Sequence, residues 1–488
     1  MGWVFIGFII LLLFCIGVLI NKSGKESQLI YQDRKKAIKK KRFEYRLPKS
    51  QLVIFPIGEK IIDITTFIFI VGCLIYQVIK LSRGYSWTGP FIIISFGWMA
   101  FIILSACLNV EYKGNIPDLK KVVIIPVYNE DPKIVSEVLD SIINQTVPVD
   151  YIAVMEDGSD LQNNVSELVK KKAREANVNI YYKYIENSGK RVAQSHAFKR
   201  FMDYADVFIT IDSDTILKED AIEKGILPFN DDRVMSVGGT LLNYNSTNFL
   251  TKVTGLGFVS SFTNGRSAWS KWKAVAVNCG GLAFYRKDVI NQFLDDYLNQ
   301  EIFGEKVNFG DDRMLTQYAS LLGDTVFQES SIGYTMLPEK FSHLTRQRVR
   351  WWKSFWWGGV WLLKNQKISE PVWWLTLTQY ISFVLYSVIL PFVLIIFPVL
   401  NQKIPFEVVF YVIILSYVRS IRTLKTNPLN MTKTRQFLEF LILAPLSTII
   451  NFYLCSMLQV YSLLTLRQSK NWGTRQSVEL TLDQNGGN

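Results

Sequence analysis

The chain has 488 residues, 49% of them hydrophobic and 14% aromatic, with a formal net charge of +12, five cysteines and two histidines. Cys15, Cys73, Cys107 and Cys455 sit in apolar segments and Cys279 stands alone, which argues against a disulfide framework and a structural zinc site; His196 and His343 alone argue against a histidine-held metal or a Ser-His-Asp triad. Any metal is therefore expected on carboxylates, as a hard cation such as Mg2+ or Mn2+.

In chain order, Gly2–Ile20, Ile64–Ile79 and Gly89–Leu108 are apolar segments of membrane-crossing character, and Val372–Gln402, Pro405–Leu424 and Phe440–Leu466 form a second set. The first lacks the basic start and small-residue cleavage site of a signal peptide and reads as a helix. Lys22–Lys60, with "DRKKAIKKKRFEYR", carries a concentration of positive charge without any recognition module. It reads as a topology signal drawn to anionic lipid headgroups, not as a nucleic-acid site. The positive-inside bias places this loop, and the mixed-polarity stretch after the third segment, in the cytoplasm of a multi-pass plasma-membrane protein. Pro445 interrupts the last segment, so a broken or re-entrant helix and a cytoplasmic carboxyl terminus are expected. The expected division is 1–109, 110–344, 345–370, 371–466 and 467–488.

The stretch 110–344 reads as strands alternating with helices. "KVVIIPVYNE" is a buried strand ending at Pro126; Asp131-Pro132 then caps a helix with Ile134, Val138, Leu139, Ile142 and Ile143 on one face. "YIAVMEDGSD" repeats the pattern and ends in Glu156-Asp157-Gly158-Ser159, and "VNIYYKYI" and "DVFITIDSDT" follow. Such alternation implies a mostly parallel, doubly wound sheet, whose ligands gather at the carboxyl ends of its strands. Both acidic clusters fall there. Asp212 and Asp214 can approach one divalent cation together, or divide into a metal ligand and a ligand-orienting group; a cation there would bridge phosphate oxygens and neutralise a leaving diphosphate. The absence of a P-loop pattern and of G-x-G-x-x-G after a strand argues against a P-loop ATPase and a dinucleotide enzyme.

In this order, "VVIIPVYNE", "EDGSD", "SGKRVAQ", "DSDT", "GDDRMLT" and "QRVRW" resemble the motif set of the processive family 2 glycosyltransferases, membrane enzymes that polymerise UDP-sugars and secrete the chain. "RWWKSFW" and the tail "YSLLTLRQSKNWGTR" are similar to the hyaluronan synthases in particular. The resemblance implies a GT-A-like α/β cytoplasmic domain, an α-helical transmembrane region and amphipathic interface helices. It assigns Asp157, Lys190, Arg191, Asp212, Gln347, Arg350 and Arg475 to the UDP-sugar donor and Asp214 to the metal. Asp312 becomes the general base that deprotonates the acceptor hydroxyl, and Trp351 the aromatic face for the acceptor sugar. The tryptophans of "WWKSFWWGGVWLL" are expected along an amphipathic helix anchored at the headgroup level.

The partners implied are UDP-sugar donors, the growing polysaccharide and membrane lipids. Two departures keep other products open. "NCGGLAFYR" has Gly281 where the hyaluronan pattern has proline and Ala283 in place of serine, and "QRVRW" is nearer the cellulose and chitin form. Chitin or chitin-oligosaccharide synthesis, a type 3 capsule-like glucose–glucuronate polymer and a single addition to a lipid carrier therefore stand beside hyaluronan.

Overall fold

Two apolar helices, α1 (Ile57–Ser82) and α2 (Gly89–Cys107), lead into the α/β domain. The computed structural model describes residues 57–467 apart from 84–88, 161–163, 177, 303, 308, 403–405 and 427–431. The expected first span, most of the basic loop and the W-G-T-R segment with Arg475 lie outside the described residues.

Eight strands form one sheet: β1 (Lys121–Val127), β2 (Tyr151–Asp157), β3 (Asn179–Ile185), β4 (Val207–Thr210), β5 (Ile216–Leu217), β6 (Val234–Asn243), β7 (Ala283–Arg286) and β8 (Asp324–Thr335), in the order β3-β2-β1-β4-β7-β6-β8-β5. The first four pair in parallel, as do β6 and β8. β7 runs antiparallel between β4 and β6, and β5 antiparallel on β8. The expected mostly parallel sheet is therefore present, with an inserted antiparallel strand that alternation alone did not reveal. β1 continues past Pro126, because its pairing with β2 runs on to Val127 opposite Glu156.

Helix α3 (Pro132–Ile143) begins where capping chemistry demands: Asp131 accepts a hydrogen bond from Lys133 N at 2.8 Å, and proline takes the first turn, where its missing N–H costs nothing. Its buried residues are Val135, Val138, Leu139 and Ile142, with Ile134 and Ile143 packed at the margin. The helices that shape the site are α4 (Lys190–Phe201), α5 (Phe249–Ser260), α6 (Asp311–Leu322) and α7 (Phe341–Asn365).

The second apolar set comprises α8 (Pro371–Leu400), α9 (Phe406–Ser420) and α10 (Thr434–Leu464). Among the described residues four stretches are long and apolar enough to cross a membrane: Asp63–Ser82, Pro90–Cys107, α8 and α10. Their side chains left uncovered by the rest of the chain include Ile64, Ile68, Phe69, Ile442, Ile449 and Leu464, as contact with lipid tails requires. The segment expected as a crossing at Pro405–Leu424 is shorter. α9 has 15 residues, about 22 Å of helix against roughly 30 Å of hydrocarbon. The chain then turns through Ile421–Lys425, where buried Arg422 pairs with Asp63 at 2.7 Å and faces Glu329 of β8 at 3.6 Å.

The tryptophan-rich helix α7 packs between the α/β domain and the apolar helices. Trp357 and Trp361 pack into the domain, while Trp356 packs edge-on against Phe383 of α8. The indole nitrogens of Trp352 and Trp356 donate to Leu454 O at 2.7 Å and Gln459 O at 2.9 Å on α10. Adjacent residues on a helix point about 100° apart, and Trp356 and Trp357 accordingly enter different clusters, the first with α8 and the second within the domain. Trp356→Ala is expected to cost about 3–5 kcal/mol of stability. Trp374→Ala, at a side chain 52% exposed, is expected to stay within about 0.5 kcal/mol. Thermal unfolding of the detergent-solubilised protein compares the two, and equal small shifts would contradict an enclosed α7.

Candidate active site

β2 ends at Asp157, whose buried carboxylate accepts hydrogen bonds from Ser188 N at 2.8 Å and Gly189 N at 3.0 Å. Gly158 follows with φ of +75°, and a Cβ there would lie 2.6 Å from Asn187 N. Only glycine lets the end of β2 pass so close to this loop. Asp157 thereby fixes the entrance to α4.

Lys190 and Arg191, the first residues of α4, take different directions. Lys190 Nζ lies 2.6 Å from Asp212 Oδ1 and 2.8 Å from Asp311 Oδ2. Burial works against its charge, but the two carboxylates outweigh burial and hold the ammonium above its ordinary range. Arg191, expected beside the diphosphate, is buried and turned the other way. Its guanidinium donates to Phe309 O at 2.6 Å, Gln300 Oε1 at 3.0 Å and Tyr297 O at 3.2 Å. Those acceptors leave it supporting the turn before Asp311 from behind.

Asp212, Ser213 and Asp214 occupy the turn between β4 and β5. Ser213 Oγ donates to Glu130 Oε2 at 3.0 Å. The Asp214 carboxyl is pushed up to about 7, by burial first and then by Asp212 and Glu130. Glu130 belongs to the "YNE" run after β1 and was not singled out from sequence, although its place beyond a strand's carboxyl end was the available signal. Among the described residues no three His, Cys, Asp or Glu side chains are arranged to hold a metal ion by themselves.

Asp311 and Asp312 open α6 behind Gly310, whose φ is +68°. Their titrations are split. Burial would raise Asp311, but Lys190 overrides it and holds that carboxyl low, whereas burial and the Asp311 charge together raise Asp312. Thr316 Oγ donates to Asp312 O at 2.6 Å and accepts from Asn278 N at 3.0 Å, joining α6 to the "NCGG" segment. There a Cβ on Gly280 would lie 3.1 Å from Lys190 Nζ, and one on Gly281 2.7 Å from Thr215 Oγ1. The two glycines thus let the backbone run beside the Lys190–Asp212 pair. Burial pushes the neighbouring Cys279 thiol up to about 12, which removes it as a nucleophile at neutral pH.

Helix α7 closes another side. A Cβ on Gly310 would collide with Ser354 of α7, which places Gln347, Arg350 and Trp351 on the turns just before that contact. Gln347 Oε1 is buried and accepts no hydrogen bond among the described residues. The Trp351 ring stacks with Phe258 of α5 at 6.4 Å and has the Arg348 guanidinium 4.3 Å from its centroid.

Residues 122–294 match the model of Glycosyl transferase family 2. Over 432 residues the chain is 32% identical to hyaluronan synthase of Streptococcus pyogenes serotype M6, covering 87% of this chain and 99% of that protein. The chain belongs to glycosyltransferase family 2. This glycosyltransferase is a hexosyltransferase and a membrane protein, close to hyaluronan synthase and built on a GT-A-like domain. It is also 26% identical over 370 residues to an N-acetylglucosaminyltransferase of Azorhizobium caulinodans, covering 73% of this chain and 87% of that one. Among solved structures, a mannosyltransferase of Pyrobaculum calidifontis in complex with GDP-Man and Mn2+ aligns with 80% of this chain and 98% of its own at 13% identity and a TM-score of 0.44.

Gly310→Ala would force a left-handed backbone on alanine, at about 1–2 kcal/mol, and drive Ser354 away from the start of α6. The transfer rate is expected to fall about 100-fold, with partial recovery in Gly310→Ala/Ser354→Gly. A wild-type rate in the single variant would show that the α6–α7 contact does not set the site.

Proposed function

We propose that this enzyme is a processive, inverting glycosyltransferase that polymerises UDP-sugars, hyaluronan from UDP-N-acetylglucosamine and UDP-glucuronate being the best-supported product, and passes the polymer across the membrane it spans. The observation that carries the reading is the split carboxylate pair at the start of α6. Lys190 neutralises Asp311, while Asp312 is left with a raised affinity for protons beside the helix that packs on the apolar segments.

In this reading Asp312 takes the proton of the acceptor hydroxyl as that oxygen bonds to the anomeric carbon. The bond from this carbon to the diphosphate oxygen breaks with its electron pair, the configuration inverts and UDP leaves. Lys190, held at Asp212, would offer a fixed positive charge to the departing diphosphate. Asp157 acts by holding the Ser188–Gly189 loop against the nucleotide, and Asp212, Gln347, Arg350 and Arg475 complete the donor site. Trp351 serves the acceptor sugar. Asp214 with Asp212 fits a divalent cation whose remaining ligands come from phosphate, because a positive charge would relieve the burial and the neighbouring charges of Asp212 and Glu130 that raise Asp214. Mg2+ or Mn2+ takes few protein carboxylates and fills its shell from phosphate oxygens. Such an ion, held by Asp214 with Asp212, would offset the diphosphate charge. Arg191 belongs to the framework of the base. The basic loop and the apolar helices support a multi-pass plasma-membrane protein with its catalytic domain in the cytoplasm, in contact with lipid headgroups.

A second product is favoured by one feature, Gly281 where the hyaluronan pattern has proline, because "CGG" with the following "YR" resembles the chitin-oligosaccharide synthases. Donor omission decides. Purified enzyme with Mg2+ or Mn2+ is expected to make high-molecular-mass polymer only when both UDP-N-acetylglucosamine and UDP-glucuronate are present, and a hyaluronan-specific lyase should digest it. Polymer from UDP-N-acetylglucosamine alone would make the product chitin, a requirement for UDP-glucose with UDP-glucuronate a type 3 capsule-like chain, and one added sugar on lipid would end the processive reading.

Asp312→Asn is expected to slow transfer at least about 100-fold while UDP affinity changes little. A base works only when ionised, so the wild-type rate should be lost as pH falls through the raised Asp312 value and regained above it. A substantial residual rate in Asp312→Asn would assign the base elsewhere. Asp214→Asn should instead weaken metal-dependent donor binding.

A further inference from the structure

We propose that Glu130 is a positioning residue for the metal-binding turn: its carboxylate holds the Ser213 hydroxyl and thereby sets where Asp212 and Asp214 point. The inference rests on the reading above of those two residues toward a divalent cation and the donor diphosphate. β1 ends at Val127, and the chain turns at Asn129, whose φ is +47°. Asparagine tolerates that left-handed backbone better than most residues, and three hydrogen bonds fix it there. Asn129 N donates to Ser159 Oγ at 3.0 Å and Asn129 Nδ2 to Asp160 Oδ2 at 3.3 Å, while Asp160 N donates to Asn129 Oδ1 at 2.7 Å. The loop after β1 is thus tied to the loop that follows Asp157. β1 lies between β2 and β4 in the sheet, so the next residue meets the turn on the other side. There Ser213 Oγ donates to Glu130 Oε2 at 3.0 Å.

Ser213 is the middle residue of the turn, and the turn is held at two points. Lys190 Nζ lies 2.6 Å from Asp212 Oδ1, and Thr215 N donates to Asp212 O at 3.1 Å, which together fix the Asp212 end. The Ser213–Glu130 bond fixes the middle, and with it the direction in which Asp214 leaves the turn. Ser213 and Glu130 are each only 8% exposed, a setting in which a hydrogen bond to a charged acceptor is strong and an unmade one is costly. Glu130 Oε2 is engaged by the hydroxyl, so the effect of Glu130 on a bound ion passes through Ser213. The short run Asn129–Glu130 therefore joins the nucleotide side of the donor site, through Ser159 and Asp160, to its metal side, through Ser213.

The test measures Mn2+ affinity on full-length, detergent-solubilised enzyme in the presence of UDP, from the electron paramagnetic resonance signal of the free ion, and UDP affinity with the metal chelated. Ser213→Ala and Glu130→Ala are each expected to weaken Mn2+ binding about tenfold, the worth of one hydrogen bond to a charged group. The double variant should lose no more than either single one, because both changes remove the same bond. Ser213→Thr, which retains a hydroxyl, should keep most of the wild-type affinity. UDP affinity without metal should stay within about twofold of wild type, while the factor by which Mn2+ raises it should fall in step with Mn2+ affinity, as linkage requires. A folding defect would instead lower both affinities. Additive losses in the double variant, or a far larger loss in Glu130→Ala than in Ser213→Ala, would make Glu130 a ligand in its own right and overturn the positioning role; an equal loss of metal-free UDP affinity would overturn it too. Wild-type enzyme that binds no Mn2+ beside UDP would sink the metal reading and this inference together, whereas wild-type Mn2+ binding with unaltered binding in the variants would sink this inference alone.

Discussion

One ammonium between two carboxylates organises this molecule. Asp212, in the turn after β4, and Asp311, the first residue of α6, stand about a hundred residues apart in sequence, and each belongs to an acidic cluster that would repel the other across a partly buried space. Lys190 Nζ, within 2.8 Å of both, converts that repulsion into attachment. Its own position is set by Gly189 and Ser188, whose backbone N–H groups are fixed by Asp157. Four separate sequence motifs are therefore joined through a single short loop. The same contact divides the labour of Asp311 and Asp312: the first loses its affinity for protons to the lysine, and the second gains it from burial and from its charged neighbour. The divergence of the adjacent carboxyls follows from which of them the ammonium reaches.

The second constraint joins this chemistry to the membrane. Helix α7 presents Gln347, Arg350 and Trp351 near its start, touches the turn before Asp311 through Ser354, and then buries Trp356, Trp357 and Trp361 among neighbours from both halves of the chain. A second junction lies at Arg422, fully buried, with its guanidinium on Asp63 of α1 and the Thr263 carbonyl at 2.7 Å and facing Glu329 of β8. Removing one member of such a set leaves a charge without compensation, so burial itself enforces the pairing. Together these contacts hold the α/β domain against the helices in a defined position.

Much of the architecture was legible from pattern. Apolar runs, strand–helix alternation and the Asp131–Pro132 cap all act locally, so their consequences could be read from neighbouring residues. Asp212 and Asp214 could be selected because acidic residues beyond buried strands fall at the ligand-binding edge of such a sheet, whereas Asp312, at the start of a helix, was legible only through the resemblance of "GDDRMLT" to the family motif. Lys190 and Arg191 could not be told apart in this way. They are adjacent in sequence and carry the same charge, yet one faces the carboxylates and the other the carbonyls of Phe309 and Tyr297. Nor could a one-dimensional pattern show that tryptophans on several sides of α7 would find protein on each of those sides.

The class of the domain, the apolar helices around it and the acidic chemistry at the strand ends follow from the amino-acid order alone, because periodicity, capping and composition depend on residues close along the chain. Folding set which cation compensates which carboxylate, that Glu130 joins the Asp214 cluster and that β7 inserts antiparallel. Those outcomes depend on distances between residues far apart in sequence. Electrostatic and packing energies change steeply over a few ångströms, and only the folded chain sets that scale.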